Sequence, residues 1–419
     1  MEPATSPANP VLTATPKTIL FFDHTAQLGG GEIALLNVVR SIDRSLFSPV
    51  VVLGSAGMLH ERLLETGVET HLLPIARSVA DTRKDTLGVR SLLRIGDMAR
   101  ILFYCVKLSR FIRRRQAAIV HTNSLKADII GGVAARLAGV PVVWHIRDRI
   151  ADDYLPLPVV GFFRFLCRVI PNAVIANSHA TLDSINLPPQ RRGNKGTTGT
   201  VIYSGTVIYD GIKSSGAAAA GPLQNPEAAI ASPRIGLIGR LAPWKGQHIF
   251  IRAASLVVKK FPSCKFQIIG AALFGEDDYE RDLRALVKTL GLAGQVEFTG
   301  FRSDVADLIR RLDVVVHAST VGEPFGQVVI EAMAASKPVV ATRGGGVVEI
   351  VMDGVTGILV PMGDAESMAG AILKLIENTD MAREMGDAGK VWVEKCFTIE
   401  KTARQMEEVF VELLGCHPA

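Results

Sequence analysis

Short apolar runs alternate with segments of helical periodicity along most of this chain, and the alternation starts twice. It starts at 18–23 and again at 234–239, after a stretch rich in Ala, Gly, Ser and Pro. Uninterrupted apolar runs are typical of strands buried on both faces, and parallel strands need crossover helices between them. The pattern therefore predicts an α/β protein with two doubly wound parallel sheets.

The 419 residues are enough for two domains with separate cores. We predict a disordered tail over 1–17, an N-terminal domain over 18–212, a linker over 213–232, a second domain over 233–395 and a final helical segment over 396–419. The sequence Val-Ile-Tyr occurs twice, at 201–203 and 207–209, and either copy could form the last strand of the first domain.

Basic charge is concentrated at 77–115, a segment that contains 11 Lys or Arg residues and 3 Asp or Glu residues. A helix predicted over 92–115, with Leu102 and Leu108 among its apolar positions, ends in three arginines. Two interpretations remain open: a core helix whose basic end suits its dipole, or a surface that docks on anionic lipid. No nucleic acid is expected as a partner, because interleaved aromatic residues and a recognisable binding module are missing.

Five scattered cysteines without metal-ligand spacing favour a reducing compartment and no disulfide framework. The tail at 1–17 lacks the basic and apolar regions of a signal peptide, and no run reaches the ~18–20 apolar residues of a spanning helix. We expect a cytoplasmic protein, or one bound peripherally at the inner face of the cell membrane.

Three glycines, Gly29, Gly30 and Gly31, lie between the first predicted strand and a predicted helix at 33–39. Without Cβ atoms, the backbone can approach an anion closely at a helix N-terminus. The loop is neither G-x-G-x-x-G nor followed by a Walker lysine, so tight packing explains it equally well.

Polar side chains follow two further predicted strands of the first domain. His121 and Asn123 end one strand, and His145 and Arg147 end the next. Ligands of open α/β sheets sit at the carboxyl ends of strands. A histidine at such a place is more often structural, but Arg147 and Asp148 beside His145 favour a functional role.

Two cations, Arg240 and Lys245, leave the first strand of the second domain on one loop. Two fixed cations suit a diphosphate, because breaking a sugar–phosphate bond builds negative charge on the leaving group. A solvated loop or a salt bridge is the alternative. The chain has no Asp-x-Asp motif, so we expect no metal, with cations and helix N-termini in its place.

Two carboxylates, Glu323 and Glu331, lie eight residues apart in a predicted strand–loop–helix connection. At about 1.5 Å rise per residue the second lies about 8 Å further on, so the two could contact different parts of one elongated ligand. The backbone N–H groups of 325–328 fall at the helix N-terminus, where an anion is favoured. The alternative is that this segment only connects a strand to a helix, with an acidic side chain near the positive N-terminal end of the helix dipole.

The Gly-Arg…Lys-Gly pattern at 239–246, Glu323-x7-Glu331, the glycine loop and His145 occur in the order seen in retaining glycosyltransferases of family 4 (glycosyl transferases group 1), which this chain resembles over roughly 18–415. The resemblance implies the GT-B fold, in which two Rossmann-like domains face a cleft and the last helix crosses back to the first domain. Asp210-Gly211 stands where the family usually has Asn-Gly, and 187–200 resembles an insertion.

By position, the resemblance implies that Arg240 and Lys245 bind the donor diphosphate, Glu331 the ribose and Glu323 the sugar. The candidate catalytic residues are His145, Glu323, Arg240 and Lys245. The implied donor site comprises Gly29, Gly30, Gly31, Arg240, Lys245, Gly300, Phe301, Glu323, Phe325, Gly326, Gln327, Val328 and Glu331. The acceptor-side candidates are His121, Asn123 and Arg147.

The implied activity is metal-independent transfer of a hexose, with retention, from a nucleotide-diphosphate sugar. The acceptor is expected to be a lipid-linked or polysaccharide-precursor glycan, and no cofactor is expected beyond the donor co-substrate. The alternatives are a GT-B nucleotide-sugar epimerase or hydrolase, and a non-catalytic nucleotide-sugar-binding protein.

Overall fold

The computed structural model describes residues 15–76, 95–153, 155–187, 206–207, 210–212, 232–273 and 275–415. The predicted linker lies almost entirely outside this part of the chain. The predicted tail extends one residue too far, because Lys17 already belongs to the first strand. The other domain boundaries stay predictions.

Seven parallel strands form the first sheet. They are β1 Lys17–Asp23, β2 Phe47–Leu53, β3 Glu69–Leu72, β4 Ile119–Thr122, β5 Val142–Ile146, β6 Ala173–Ala176 and β7 Thr206–Val207. Their order across the sheet is β3-β2-β1-β4-β5-β6-β7. Because β7 contains Val207, the second Val-Ile-Tyr copy contributes the last strand of this sheet.

Helices connect these strands and cover both faces of the sheet. They are α1 Gly30–Ser41, α2 Met58–Leu64, α3 Ile95–Arg114, α4 Leu125–Ala138, α5 Leu157–Val169 and α6 His179–Ile185. Two separate apolar clusters pack against the sheet, one around Trp144 and α3 to α5, the other around Phe21 and α1.

Six parallel strands form the second sheet. They are β8 Arg234–Ile238, β9 Lys265–Ile269, β10 Val296–Gly300, β11 Val314–His317, β12 Val339–Thr342 and β13 Ile358–Val360, in the order β10-β9-β8-β11-β12-β13. The accompanying helices are α7 Gln247–Lys260, α8 Asp277–Thr289, α9 Val305–Arg311, α10 Gln327–Ala334, α11 Val347–Ile350, α12 Ala365–Glu377, α13 Thr379–Cys396 and α14 Ile399–Leu414. The predicted fold class, two Rossmann-like doubly wound domains, is confirmed.

The last helix, α14, packs on the first sheet. The Phe410 ring lies 6.4 Å from that of Phe21 and 5.7 Å from that of Phe47. At its start, the Ile399 N–H donates to the Ile212 carbonyl at 2.9 Å, and the Ile212 N–H donates to Phe397 at 3.0 Å. The chain therefore returns from the second sheet to the first.

The strand order reverses between β1 and β4 in the first sheet and between β8 and β11 in the second. Ligands of open α/β sheets bind at the carboxyl ends of strands beside such switch points. Most of the predicted site residues follow these strands or their neighbours. Among the described helices, none is both long and apolar enough to cross a membrane.

Candidate active site

Glu323 lies in the loop between β11 and α10 and is held by three side chains. One carboxylate oxygen pairs with Lys245 Nζ; the other lies 2.5 Å from His317 Nε2 and accepts from Ser319 Oγ at 2.8 Å. Burial by itself raises the pKa of Glu323, but Lys245 and His317 together hold it well below its ordinary value. The site therefore contains a fixed, ionised carboxylate.

His317 and Ser319 were not predicted as site residues. His317 ends β11, and its Nδ1 lies 3.2 Å from the hydroxyl of Thr342, which ends β12. The Thr342 hydroxyl also donates to the Ser319 carbonyl at 2.8 Å. A polar residue ending an otherwise apolar run at the switch point was the signal that could have identified His317.

Trp244 lies beside both predicted phosphate-binding cations. It belongs to a short 3-10 turn, Pro243–Lys245, after β8. Lys245 Nζ lies 4.5 Å from the centroid of the indole ring, and Arg240 Cζ lies 5.9 Å from it. Cation–π contacts at such distances contribute about 0.5–2 kcal/mol, so Trp244 helps to orient both cations.

Gly246 ends this turn because no side chain fits there. Its φ is +73°, and a Cβ would lie 1.9 Å from the carbonyl oxygen of Ala318. The close approach brings the loop after β8 against the end of β11. The Gly-Arg…Lys-Gly pattern therefore positions Lys245 beside the loop that carries Glu323.

Glu331 lies in the second turn of α10 and is partly buried. Burial raises its pKa to about 7, although a hydrogen bond with Gln327 acts in the opposite direction. Gly326 caps the helix with φ +121°, a conformation that favours glycine. Phe325 is buried against Phe397, with ring centroids 6.1 Å apart, so it can face a ligand only through its backbone.

Gly300 and Phe301 lie at the far edge of the second sheet. Gly300 ends β10, the outermost strand, with φ +68°. The Phe301 side chain is 54% exposed, which leaves an aromatic face available to a planar ligand. Val328, in the first turn of α10, lines a small cavity together with Lys245, His317 and Glu323.

A continuous hydrogen-bonded chain joins the strand ends of the first sheet. Asn123 Nδ2 donates to Asp23 Oδ2 at 2.8 Å and to the Gly31 carbonyl at 3.1 Å. Its Oδ1 accepts from Arg147 Nε at 2.9 Å, and Arg147 Nη1 pairs with Asp210. Asn123 and Arg147, both predicted acceptor-side residues, are thus joined to the glycine loop.

The glycine loop begins α1. The Gly29 N–H donates to Glu32 Oε2 at 3.0 Å, which closes the first turn of the helix. A Cβ at Gly31 would lie 3.3 Å from Arg147 Cδ, so this position has little free space, whereas one at Gly30 would meet nothing within 4 Å. Close packing therefore explains Gly31, and Gly30 remains open to a ligand.

His121 and His145 are fully buried, with ring centroids 5.3 Å apart. Burial lowers the pKa of His121 to about 3, and burial with the nearby Arg147 charge holds the pKa of His145 well below its usual range. Both rings are therefore neutral. His145 Nδ1 lies 3.3 Å from Arg147 Nη2, so His145 contacts a candidate site residue from the interior.

Comparisons with known proteins agree with this geometry. The family described as Glycosyl transferases group 1 matches residues 227–392, and Glycosyltransferase Family 4 matches 29–190. HepE of Anabaena, solved in complex with UDP-glucose, superposes with a TM-score of 0.78 at 27% identity, over 94% of this chain and 99% of that one. The chain belongs to the group 1, family 4 glycosyltransferases. Its structural neighbours have the GT-B fold.

Two curated relatives match over shorter segments. EpsD of Bacillus subtilis is 34% identical over 166 residues, 40% of this chain and 42% of EpsD. LpsE of Rhizobium meliloti, a lipopolysaccharide core biosynthesis glycosyltransferase, is 30% identical over 188 residues, 45% of this chain and 51% of LpsE. The chain therefore matches about half the length of these relatives.

Proposed function

We propose that this glycosyltransferase moves a hexose from a nucleotide-diphosphate sugar to an acceptor with retention of configuration and without a metal. The observation that carries the proposal is the Glu323 cluster, in which Glu323 contacts Lys245, His317 and Ser319. The cluster lies beside the N-terminal turn of α10. Because HepE was solved with UDP-glucose, a UDP-linked sugar is the first donor to test.

The proposed roles follow from charge and position. Arg240 and Lys245 stabilise the negative charge that develops on the leaving diphosphate. Glu331, when ionised, accepts hydrogen bonds from the two ribose hydroxyls. Glu323 accepts hydrogen bonds from sugar hydroxyls while Lys245 and His317 hold its orientation.

The proposed transfer needs no nucleophilic carboxylate from the protein. The bond between the anomeric carbon and the diphosphate oxygen breaks, and a bond to the acceptor oxygen forms on the same face. The acceptor proton passes to the departing diphosphate oxygen. Closure of the cleft excludes water, which would otherwise compete as the acceptor.

We further propose a lipid-linked acceptor, because the outer face of α3 combines apolar and basic side chains. Leu102 is 59% exposed and Phe103 is 70% exposed. Lys107, Arg110 and Arg113 are also exposed, and residues 98–114 contain no Asp or Glu. Such a face suits the anionic headgroups of a membrane, at whose cytoplasmic side the protein would act peripherally.

Vesicle sedimentation tests the proposed membrane contact. Wild type should bind vesicles that contain anionic lipid at low salt and dissociate as salt rises. The double variant Leu102→Ser/Phe103→Ser should lose most of this binding. Val391→Ser, at a 65%-exposed apolar position on α13, should retain it. Equal retention of both variants would remove the argument for a lipid-linked acceptor.

An assay of acceptor dependence tests the proposed reaction against epimerase, hydrolase and sensor alternatives. UDP-hexose is incubated with and without candidate lipid-linked glycans. A transferase releases UDP in proportion to glycosylated product, and NMR shows that the anomeric configuration of the donor is kept. UDP release without an acceptor would indicate hydrolysis, and binding without turnover would indicate a sensor.

A further inference from the structure

The two backbone carbonyls that flank Glu323 are both held by side chains of the first domain. Arg149 Nη1 donates to the Gly322 carbonyl at 3.0 Å, and Ser178 Oγ donates to the Pro324 carbonyl at 2.5 Å. Thr181 Oγ1 adds a second bond to the Pro324 carbonyl at 3.2 Å. No sequence motif indicated Arg149 or Ser178.

The carbonyl of Glu323 itself is held from the opposite side, within the second domain. It accepts from the Gly346 N–H at 2.8 Å. A Cβ at Gly345, where φ is +60°, would lie 1.9 Å from the same oxygen. Three successive carbonyls, from Gly322 to Pro324, therefore accept hydrogen bonds, and the bonds to the first and third cross between the domains.

The approach of the first domain to this loop is close. A Cβ at Gly322 would lie 2.7 Å from Arg149 Nη1, and one at Gly346 would lie 3.0 Å from Ser178 Cβ. Glu349, on α11 of the second domain, accepts from the backbone N–H groups of His179 and Ala180 at 2.9 and 2.8 Å. This second contact holds the residues next to Ser178 in place.

Arg149 is also anchored within its own domain. Its Nη1 lies 3.0 Å from Asp153 Oδ2, four residues along the chain. The Arg149 side chain is only 18% exposed. An anchored, mostly buried donor fixes the carbonyl it bonds more closely than a free surface side chain would.

We propose that Arg149 and Ser178 are positioning residues for sugar transfer, which act on the donor through the backbone of Glu323. This inference rests on the proposed transferase function. Because the bonds cross between domains, the loop is completed only when the domains are together. Arg240, Lys245 and Glu331 of the second domain are the candidate donor contacts, and the first domain fixes the backbone on either side of Glu323. A displacement of about 1 Å at a reacting centre can cost about 100-fold in rate.

The test compares Arg149→Met and Ser178→Ala with wild type in UDP binding and in acceptor-dependent transfer. Both variants should lower kcat about 10- to 100-fold, while the Kd for UDP stays within about threefold, because Arg240, Lys245 and Glu331 remain. Arg149→Lys, which retains one donor, should recover part of the kcat. A purely structural role would not separate kcat from UDP affinity in this way.

Arg164 offers a matched control. It donates to the carbonyls of Ser184 and Ile150 at 2.9 and 3.0 Å, both within the first domain. Arg164→Met should lower thermal stability and leave the kcat of the folded enzyme within about threefold of wild type. It shows what loss of a carbonyl-binding arginine does when the loop is untouched.

Two results would overturn the inference while leaving the transferase function intact. One is an unchanged kcat in both Arg149→Met and Ser178→Ala. The other is a loss of UDP affinity as large as the loss of kcat, since the contact would then serve binding. If Arg149→Met fails to fold, Ser178→Ala and Arg149→Lys carry the test. Failure of wild type to bind UDP or transfer sugar would instead count against the proposed function.

Discussion

Lys245 and Glu323 form an ion pair that joins the loop after β8 to the loop after β11. Lys245 also lies on the Trp244 ring, and Glu323 also contacts His317 and Ser319. The pair is therefore the centre of a cluster in which each charge has more than one partner. A donor diphosphate would enter beside a cation whose position is already fixed, which lowers the cost of ordering it on binding.

Lys245→Ala should lower the free energy of unfolding by about 1–3 kcal/mol, because it leaves a mostly buried carboxylate without its cation. Chemical denaturation at pH 7 measures the loss. Lys260→Ala is the control: this exposed lysine pairs with Glu377 on the surface, and its loss should cost about 0–1 kcal/mol. Equal losses in the two variants would contradict the coupling described above.

Glu331→Gln should make the free protein more stable at pH 8. Burial raises the pKa of Glu331 from 4.5 to about 7. The stability that this shift contributes is therefore fully present below pH 4.5 and is lost as the pH rises through 7. A neutral amide avoids that loss, and the gain at pH 8 should be about 1–3 kcal/mol. No gain, or an equal gain at pH 4, would contradict the buried-carboxyl account.

The same variant should bind UDP more weakly, by about tenfold for the loss of a charged hydrogen-bond acceptor to the ribose. The UDP affinity of wild type should rise between pH 6 and pH 8 as Glu331 ionises, and calorimetry across that range measures it. In Glu331→Gln the dependence on pH should be flatter. A steep profile that survives in the variant would assign the titration to another group.

Asp210→Ala should destabilise the protein by about 2–4 kcal/mol, because it leaves the Arg147 guanidinium buried and unpaired. Asp210→Asn keeps an acceptor for Arg147 without the negative charge. Its cost should be less than half that of alanine. Urea denaturation of both variants compares them, and equal costs would show that the charge, not the acceptor, matters.

The strands and most of the helices could be predicted from the sequence, because uninterrupted apolar runs and helical periodicity can be recognised without knowing the tertiary contacts. It did not predict α13, Thr379–Cys396, where Gly386 and Gly389 weaken the helical pattern. The structure explains Gly386, since a Cβ there would lie 2.2 Å from the Ser336 carbonyl. A glycine that permits close packing cannot be told in sequence from one that ends a helix.

Gly386→Ala should therefore destabilise the protein by about 1–3 kcal/mol through overpacking against backbone, despite the higher helix propensity of alanine. Gly370→Ala is the matched control in α12, where a Cβ would meet nothing within 4 Å. It should stabilise by about 0.5–1 kcal/mol. Thermal and chemical denaturation of the pair give the two signs, and the same sign in both would contradict the packing argument.

Candidate residues that belong to spaced motifs could be proposed from the sequence, and contacts made from a distant part of the chain could not. Arg240, Lys245, Glu323 and Glu331 lie within two short segments, where spacing carries information. Ser178 reaches the Pro324 carbonyl from 146 residues away, and only the folded structure shows that contact. The basic charge of α3 was visible in composition, but which of its apolar residues face solvent depended on helix packing.

Isothermal titration of UDP into wild type, Lys245→Ala and Lys260→Ala tests the central claim most directly. The account predicts one UDP bound per chain, an affinity at least tenfold weaker in Lys245→Ala, and no change in Lys260→Ala. If UDP fails, GDP and ADP are titrated in the same way. Binding that is unaffected by loss of Lys245, or no binding of any of the three, would contradict the donor site described here.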